Sequence, residues 1–311
     1  MYWGGENFDY SNILMTLNTM GGKDNSNVMK TFTYDSNSGA SDGYFVNENG
    51  FTIYCKYWST AITSPRALVF MCHGAAEHTG PYTQLAELLT AQNFFVFGHD
   101  HQGHGRSEGD RVHIENFRHY SRDVFAHIDR IKLDHPSLPG GAIAILSALD
   151  RPDYYKGLVL IGPVVTADQD LVGPCQEFFG KLISYIVPQF PVFKLDANAV
   201  SRDTKVVKEY IEDPLNYHGY FKAEWAMCLN NTMKEIESKL ATIEWPFLTI
   251  HGDLDALVKP IASEKLYAQC ASTDKTMTIY PGGYHQLHRD IEPDGSTARQ
   301  QIIDWLVSHE Q

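Results

Sequence analysis

The sequence predicts an α/β fold: a mostly parallel sheet with helices on both faces and a helical insertion set over it. Three observations predict this. Continuous apolar runs at 67–72, 94–98, 157–161 and 245–251 have the composition of strands buried on both faces. Stretches with helical spacing separate them, the alternation of a βαβ chain. After Pro163 the strand-like runs stop in an insertion that reaches about residue 243, with a wide apolar helical face from Phe178 to Val187 that Phe190, Val192 and Phe193 continue.

Taken in order, residues 1–40 are rich in Asn, Ser, Gly and Met without periodicity and are expected to be disordered. Residues 44–46 and 51–58 flank Asn49-Gly50, a hairpin signal. The 67–72 strand leads into a helix at 79–92, with Leu85, Leu88 and Leu89 on one side. The 94–98 strand leads into another at 116–133, through Phe117, Val124, Ile128 and Ile131. Beyond the insertion (163–243), the 245–251 strand, a strand at Lys275–Tyr280 and an amphipathic helix at 297–307 close a single domain spanning 41–311.

About twenty residues separate the 116–133 helix from the 157–161 strand. A buried strand takes about 5 residues and a crossover helix with its loops at least about 10–12. The segment is therefore expected to supply one or the other. A helix over 141–149, with Ile143, Ile145 and Leu146, is preferred to a strand over 142–146, which would leave too little chain to cross over. A central strand of the sheet is then missing.

The apolar fraction of 43% and charged fraction of 20% are those of a soluble globular protein. A net charge of −13 excludes electrostatic attraction to nucleic acid. The five cysteines, Cys55, Cys72, Cys175, Cys228 and Cys270, are scattered without a C-x-x-C pair and read as free thiols in a reducing compartment. No signal-peptide pattern opens the chain, and no run approaches the roughly 20 apolar residues of a spanning helix. A cytoplasmic protein is expected, without metal or cofactor, its membrane contact peripheral.

Three loops carry candidate chemistry. His73-Gly74-Ala75 follows a buried strand, where the Ala75 amide could face a developing oxyanion. Asp253 and Asp255 follow the 245–251 strand; loop position favours Asp255 as an orienting carboxylate, with Asp253 as a turn former. His285 follows the last strand after Gly282-Gly283, and is favoured over His288 as a general base. In α/β-hydrolases the nucleophile precedes acid and histidine, on a strand–G-x-S-x-G–helix turn. Ser41 and Ser107 each satisfy that pattern literally, but Ser41 precedes the oxyanion loop and no helix is expected to start at Ser107. Ser147 falls within a helix and Ser137 lies between prolines. None fits.

Several stretches together resemble the monoacylglycerol lipase family: Cys72-His73-Gly74-Ala75-Ala76-Glu77-His78, the run from His99 to Gly109, Gly141-Ala142-Ile143-Ala144-Ile145-Leu146, Glu212-Asp213-Pro214-Leu215 and Tyr284-His285-Gln286-Leu287-His288. The resemblance runs from about Asn47 to the C-terminus. It implies an α/β-hydrolase fold, Asp255 and His285 as acid and base, and Ala75 in the oxyanion hole. It also implies a cap that takes a monoacylglycerol or other acyl ester and meets membrane peripherally. Phe178, Phe179, Leu182, Ile183 and Ile186 form the cap face expected to hold the acyl chain. The sequence departs from the family twice. Where the family carries a strand and G-H-S-M-G-G, this chain passes from Pro139 to Gly140-Gly141, and Pro81 stands where an arginine is usual. The expectation is a lipase-type serine hydrolase with little or no turnover, or a pseudo-hydrolase that binds acylglycerol or a protein partner.

Overall fold

The computed structural model describes residues 33–34, 41–58, 64–134, 140–142, 145–166 and 184–310. β1 (Thr33–Tyr34) pairs antiparallel with β2 (Ser41–Val46), so one short piece of the stretch expected to be disordered joins the sheet. β2 and β3 (Thr52–Tyr57) form the expected hairpin. Gly50 holds φ +83° in its turn, where a side chain would be strained, and Asn47 Oδ1 accepts from the Asn49 and Phe51 amides.

β4 (Leu68–Met71) and β5 (Phe95–His99) are parallel neighbours. α1 (Thr83–Ala91) connects them, and α2 (Arg118–Asp134) follows β5. Their apolar runs are continuous because both faces are covered. Leu68 and Phe70 enter one core cluster with α2, while Val69 and Met71 enter the other with α1.

The segment after α2 departs from expectation. β6 (Gly140–Ala142) pairs parallel with β4, and α3 (Ile145–Asp150) follows it. Both elements are present in shortened form, the helix starting four residues later than 141–149 predicts. The physical reason is the edge of β4: its buried amides and carbonyls need partners, and a three-residue strand meets them where a helix could not. No whole strand is missing beside β4. The break falls one position further on, between β6 and β7 (Leu158–Ile161).

Beyond the break, β7, β10 (Phe247–Gly252) and β11 (Lys275–Tyr280) form a second parallel sheet in the order β11-β10-β7. The first sheet has the order β1-β2-β3-β5-β4-β6. α6 (Ile261–Gln269) and α7 (Asp294–Ser308) flank the second sheet. The described part of the insertion holds β8 (Pro191–Phe193) paired with β9 (Phe221–Lys222), α4 (Thr204–Glu212) and α5 (Ala223–Ser238). Phe193 stacks on Phe221 with ring centroids 4.6 Å apart, and Phe221 packs on Trp225, which anchors this small sheet to α5.

Candidate active site

β10 ends in Gly252, and the chain turns through Asp253 and Leu254 to present Asp255. Asp253 Oδ1 accepts from the Gly282 amide, which ties this turn to the loop after β11. Asp255 is buried, and its carboxylate is fully engaged. Oδ1 accepts from the Leu257 and Val258 amides at 2.8 and 2.9 Å, and Oδ2 from His285 Nδ1 at 2.7 Å. His251 Nε2 stands 3.3 Å from Oδ2. Burial opposes the charge on Asp255, but these donors outweigh it and hold the carboxyl well below its usual range. Burial likewise opposes charge on His285; the hydrogen bond and attraction of Asp255 overcome it and raise the imidazole above its ordinary value.

The alternatives considered for each role stand elsewhere. Asp253 is the turn former. His288 is buried against Tyr82 in a parallel ring stack 4.9 Å apart, and burial drives its pKa down to about 3. Ser107 Oγ donates to the Asp100 carbonyl and accepts from the Tyr54 amide, tying the 99–109 loop to β3. Ser41 lies in β2. Ser147 is buried in α3 and accepts from the Tyr155 hydroxyl. Ser137 lies outside the described residues.

Two further residues stand beside the Asp255–His285 pair. Gly162, just past β7, has φ +53°, and a Cβ there would sit 2.9 Å from His285 Nδ1 and 3.1 Å from Asp255 Oδ2. Gly162→Ala is expected to cost about 1–2 kcal/mol for the backbone alone, and to push His285 off Asp255. A thermal melt and the imidazole titration by NMR read the two effects separately. The Gly-Pro at 162–163 is the sequence signal that marks this position. Gln286 has no such signal: its Nε2 donates to Glu77 Oε2 across 209 positions of chain.

Glu77 organises the loop after β4. It also accepts from the Gly74 amide at 2.5 Å and the Tyr82 hydroxyl at 2.6 Å, so its carboxylate is satisfied without an arginine at position 81. His78 Nε2 reaches Asp213 Oδ2 at 2.9 Å, and the Tyr217 amide donates to Ala76 O, so the loop is pinned to the insertion. Asp100 accepts from the Thr79 amide and hydroxyl and from the Arg106 amide, which joins the loop to the 99–109 segment.

Ala75, His285 and the insertion line one cavity of about 1140 Å³. Its wall includes Leu68–Met71 of β4, Val159 and Ile161 of β7, Phe193 and Trp225 of the insertion, and Trp305 of α7. Residues from both faces of the sheet line it. Phe178, Phe179, Leu182 and Ile183 lie outside the described residues. Ile186 does not line the cavity: it is 65% exposed, and the described cap wall is made by Phe190, Val192, Phe193 and Leu195 instead.

Residues 63–292 match the family model described as serine aminopeptidase, S33. The chain is 35% identical to monoglyceride lipase from Mus musculus, over 86% of this chain and 90% of that one. It is also 35% identical to monoacylglycerol lipase from Mycolicibacterium smegmatis, over 86% and 98%. The chain belongs to the monoglyceride lipase family of serine hydrolases. Among solved structures, the monoacylglycerol lipase of Paleococcus ferrophilus superposes with a TM-score of 0.69 at 28% identity, covering 83% of this chain and 99% of that one. The fold is the α/β-hydrolase fold, with helices on both faces of the parallel strands. None of the described helices is long and apolar enough to cross a membrane.

Proposed function

We propose that this member of the monoglyceride lipase family takes a monoacylglycerol or a related acyl ester into the cavity and turns it over little or not at all. The observation that carries the reading is the pairing of Asp255 with His285 beside an apolar cavity, while the sequence runs from Pro139 to Gly140-Gly141 without a G-x-S-x-G serine. In this reading Asp255 holds His285 in the tautomer whose Nε2 faces outward, and Ala75 supplies one oxyanion amide. The pair can accept a proton, but between Pro139 and Leu146, where the family's elbow would fall, the sequence has no serine.

Calorimetry with a non-hydrolysable 1-O-alkylglycerol, beside a fatty-acid release assay with the matching ester, tests both halves. Binding with negligible release is the expected outcome. Failure of the ether to bind contradicts the first half, and sustained release contradicts the second.

The cap also carries exposed apolar side chains close together in sequence: Tyr185, Ile186, Val187, Phe190, Val192 and Phe193. Such a patch supports peripheral contact with a lipid surface. The double substitution Ile186→Asp, Val187→Asp is expected to lower co-sedimentation with neutral phosphatidylcholine vesicles several-fold while leaving the melting temperature nearly unchanged. Undiminished sedimentation would rule out this patch.

A further inference from the structure

The wall of the cavity carries a second pair of reactive groups, separate from Asp255 and His285. Cys72, the first residue after β4, is a free thiol that lines the cavity. Its Sγ lies 3.2 Å from His101 Nε2 and 3.9 Å from the His73 carbonyl. His101 Nδ1 lies 3.3 Å from His99 Nε2, His99 Nδ1 is 3.3 Å from His127 Nδ1, and His127 Nε2 is 2.7 Å from the Tyr57 hydroxyl. The thiol therefore ends a buried file of three imidazoles and a phenol. A thiol beside an imidazole that a third group orients is the arrangement of an activated nucleophile.

Burial keeps the parts in their neutral forms. It drives His101 and His99 well below the ordinary histidine value, and His127 down to about 3. It pushes the Cys72 thiol up to about 12. The resting pair is then thiol and neutral imidazole. When Cys72 donates to His101 Nε2, the proton of His101 sits on Nδ1 and is accepted by His99 Nε2. Thiolate forms only as a proton leaves toward His101, so attack relies on base assistance.

A second observation at the same wall points to a ligand. His104 is 4% exposed, lines the cavity, and its Nε2 has no partner among the described residues. Its Nδ1 lies 3.1 Å from the Gln102 carbonyl, which can only accept, so Nδ1 carries the proton and Nε2 a free lone pair. A buried acceptor without a donor suits the hydroxyl of an alcohol.

We propose that Cys72 is a covalent acceptor for the acyl group of an ester that enters the cavity, with His101 as its base. Cys72 Sγ attacks the acyl carbonyl carbon while the thiol proton passes to His101 Nε2. The new S–C bond forms, the C–O bond breaks with its electron pair on the alcohol oxygen, and His101 returns the proton to that oxygen. The products are a thioester and a free alcohol. This shares the cavity of the proposed function but none of its acid–base residues.

The test uses the full chain and excess p-nitrophenyl decanoate. The expected result is about one equivalent of p-nitrophenol per chain followed by a plateau, as base-assisted acylation of one thiol requires. The decanoyl mass should be found on Cys72 by peptide mapping and removed by neutral hydroxylamine. Cys72→Ala should abolish the adduct, and His101→Gln should slow its formation about 100-fold or more. His99→Gln should shift the pH profile of acylation, as expected of a residue that positions His101. An adduct on Cys228 or on a lysine, or no adduct at all, overturns the proposal. Binding of 1-O-decylglycerol, measured in parallel, shows whether the proposed function falls with it.

Discussion

Insertion of a hydrophobic strand followed by a Gly-His-Ser-Met elbow between Pro139 and Gly140 is expected to raise monoacylglycerol hydrolysis by about six orders of magnitude. The scale is that of removing a serine nucleophile in subtilisin, where loss of the serine alone costs about 10⁶ in turnover. In the proposed function the receiving groups are already in place. His285 is oriented by Asp255, and the loop carrying Ala75 is held by Glu77, Asp100 and Asp213. A longer central strand would also bridge the break between β6 and β7, pairing backbone groups along β7 that have no neighbouring strand on that side among the described residues. Activity and melting temperature should therefore rise together. An inserted variant that folds, takes up a fluorophosphonate on the new serine, yet hydrolyses no faster than the parent would place the deficiency elsewhere.

Acidification is expected to unfold the chain at a pH near 5. His73, His104, His127 and His288 are buried, and burial lowers each to about 3; His99 and His101 are also held well below the ordinary value. In the unfolded chain histidines titrate near pH 6.5. Between the two values the unfolded state binds more protons, so stability is complete above about pH 6.5 and lost as pH falls below it. Each group contributes about 1.4 kcal/mol per pH unit, hence about 8 for the six, against a typical total of about 5–15 kcal/mol. Asp255, lowered on folding, acts in the same direction: its share is present above about pH 4 and lost as pH falls toward its folded value. His285, raised on folding, acts the other way: its share is complete below about pH 6.5 and lost as pH rises through its folded value. Circular dichroism between pH 8 and 4 measures the transition. A native spectrum at pH 4 would contradict the placement of these rings.

Most of the sheet was legible because buried strands leave apolar runs that helices cannot imitate at that length. Lys275–Tyr280 is observed end to end as expected, and the 245–251 run is displaced only toward its C-terminal end. Asp255 could be preferred to Asp253 from its place in the loop, and the structure puts it against His285. The segment 140–150 was not legible, since a three-residue strand has no periodicity and its formation depends on the unpaired edge of β4. An apolar helical face such as the one that carries Ile186 reports that it is covered or used, not which side the cavity lies on. Contacts such as Glu77 with Gln286, or Cys72 with His101, join distant parts of the chain and leave no local pattern.

The most direct measurement is labelling of the unmodified 311-residue chain with a fluorophosphonate, located by peptide mapping and read beside its esterase activity. No serine should be labelled, and release from monoacylglycerol should stay at background. Stoichiometric labelling of any one serine, with steady ester hydrolysis that disappears when that serine becomes alanine, would contradict a frame that retains its acid and base without the attacking hydroxyl.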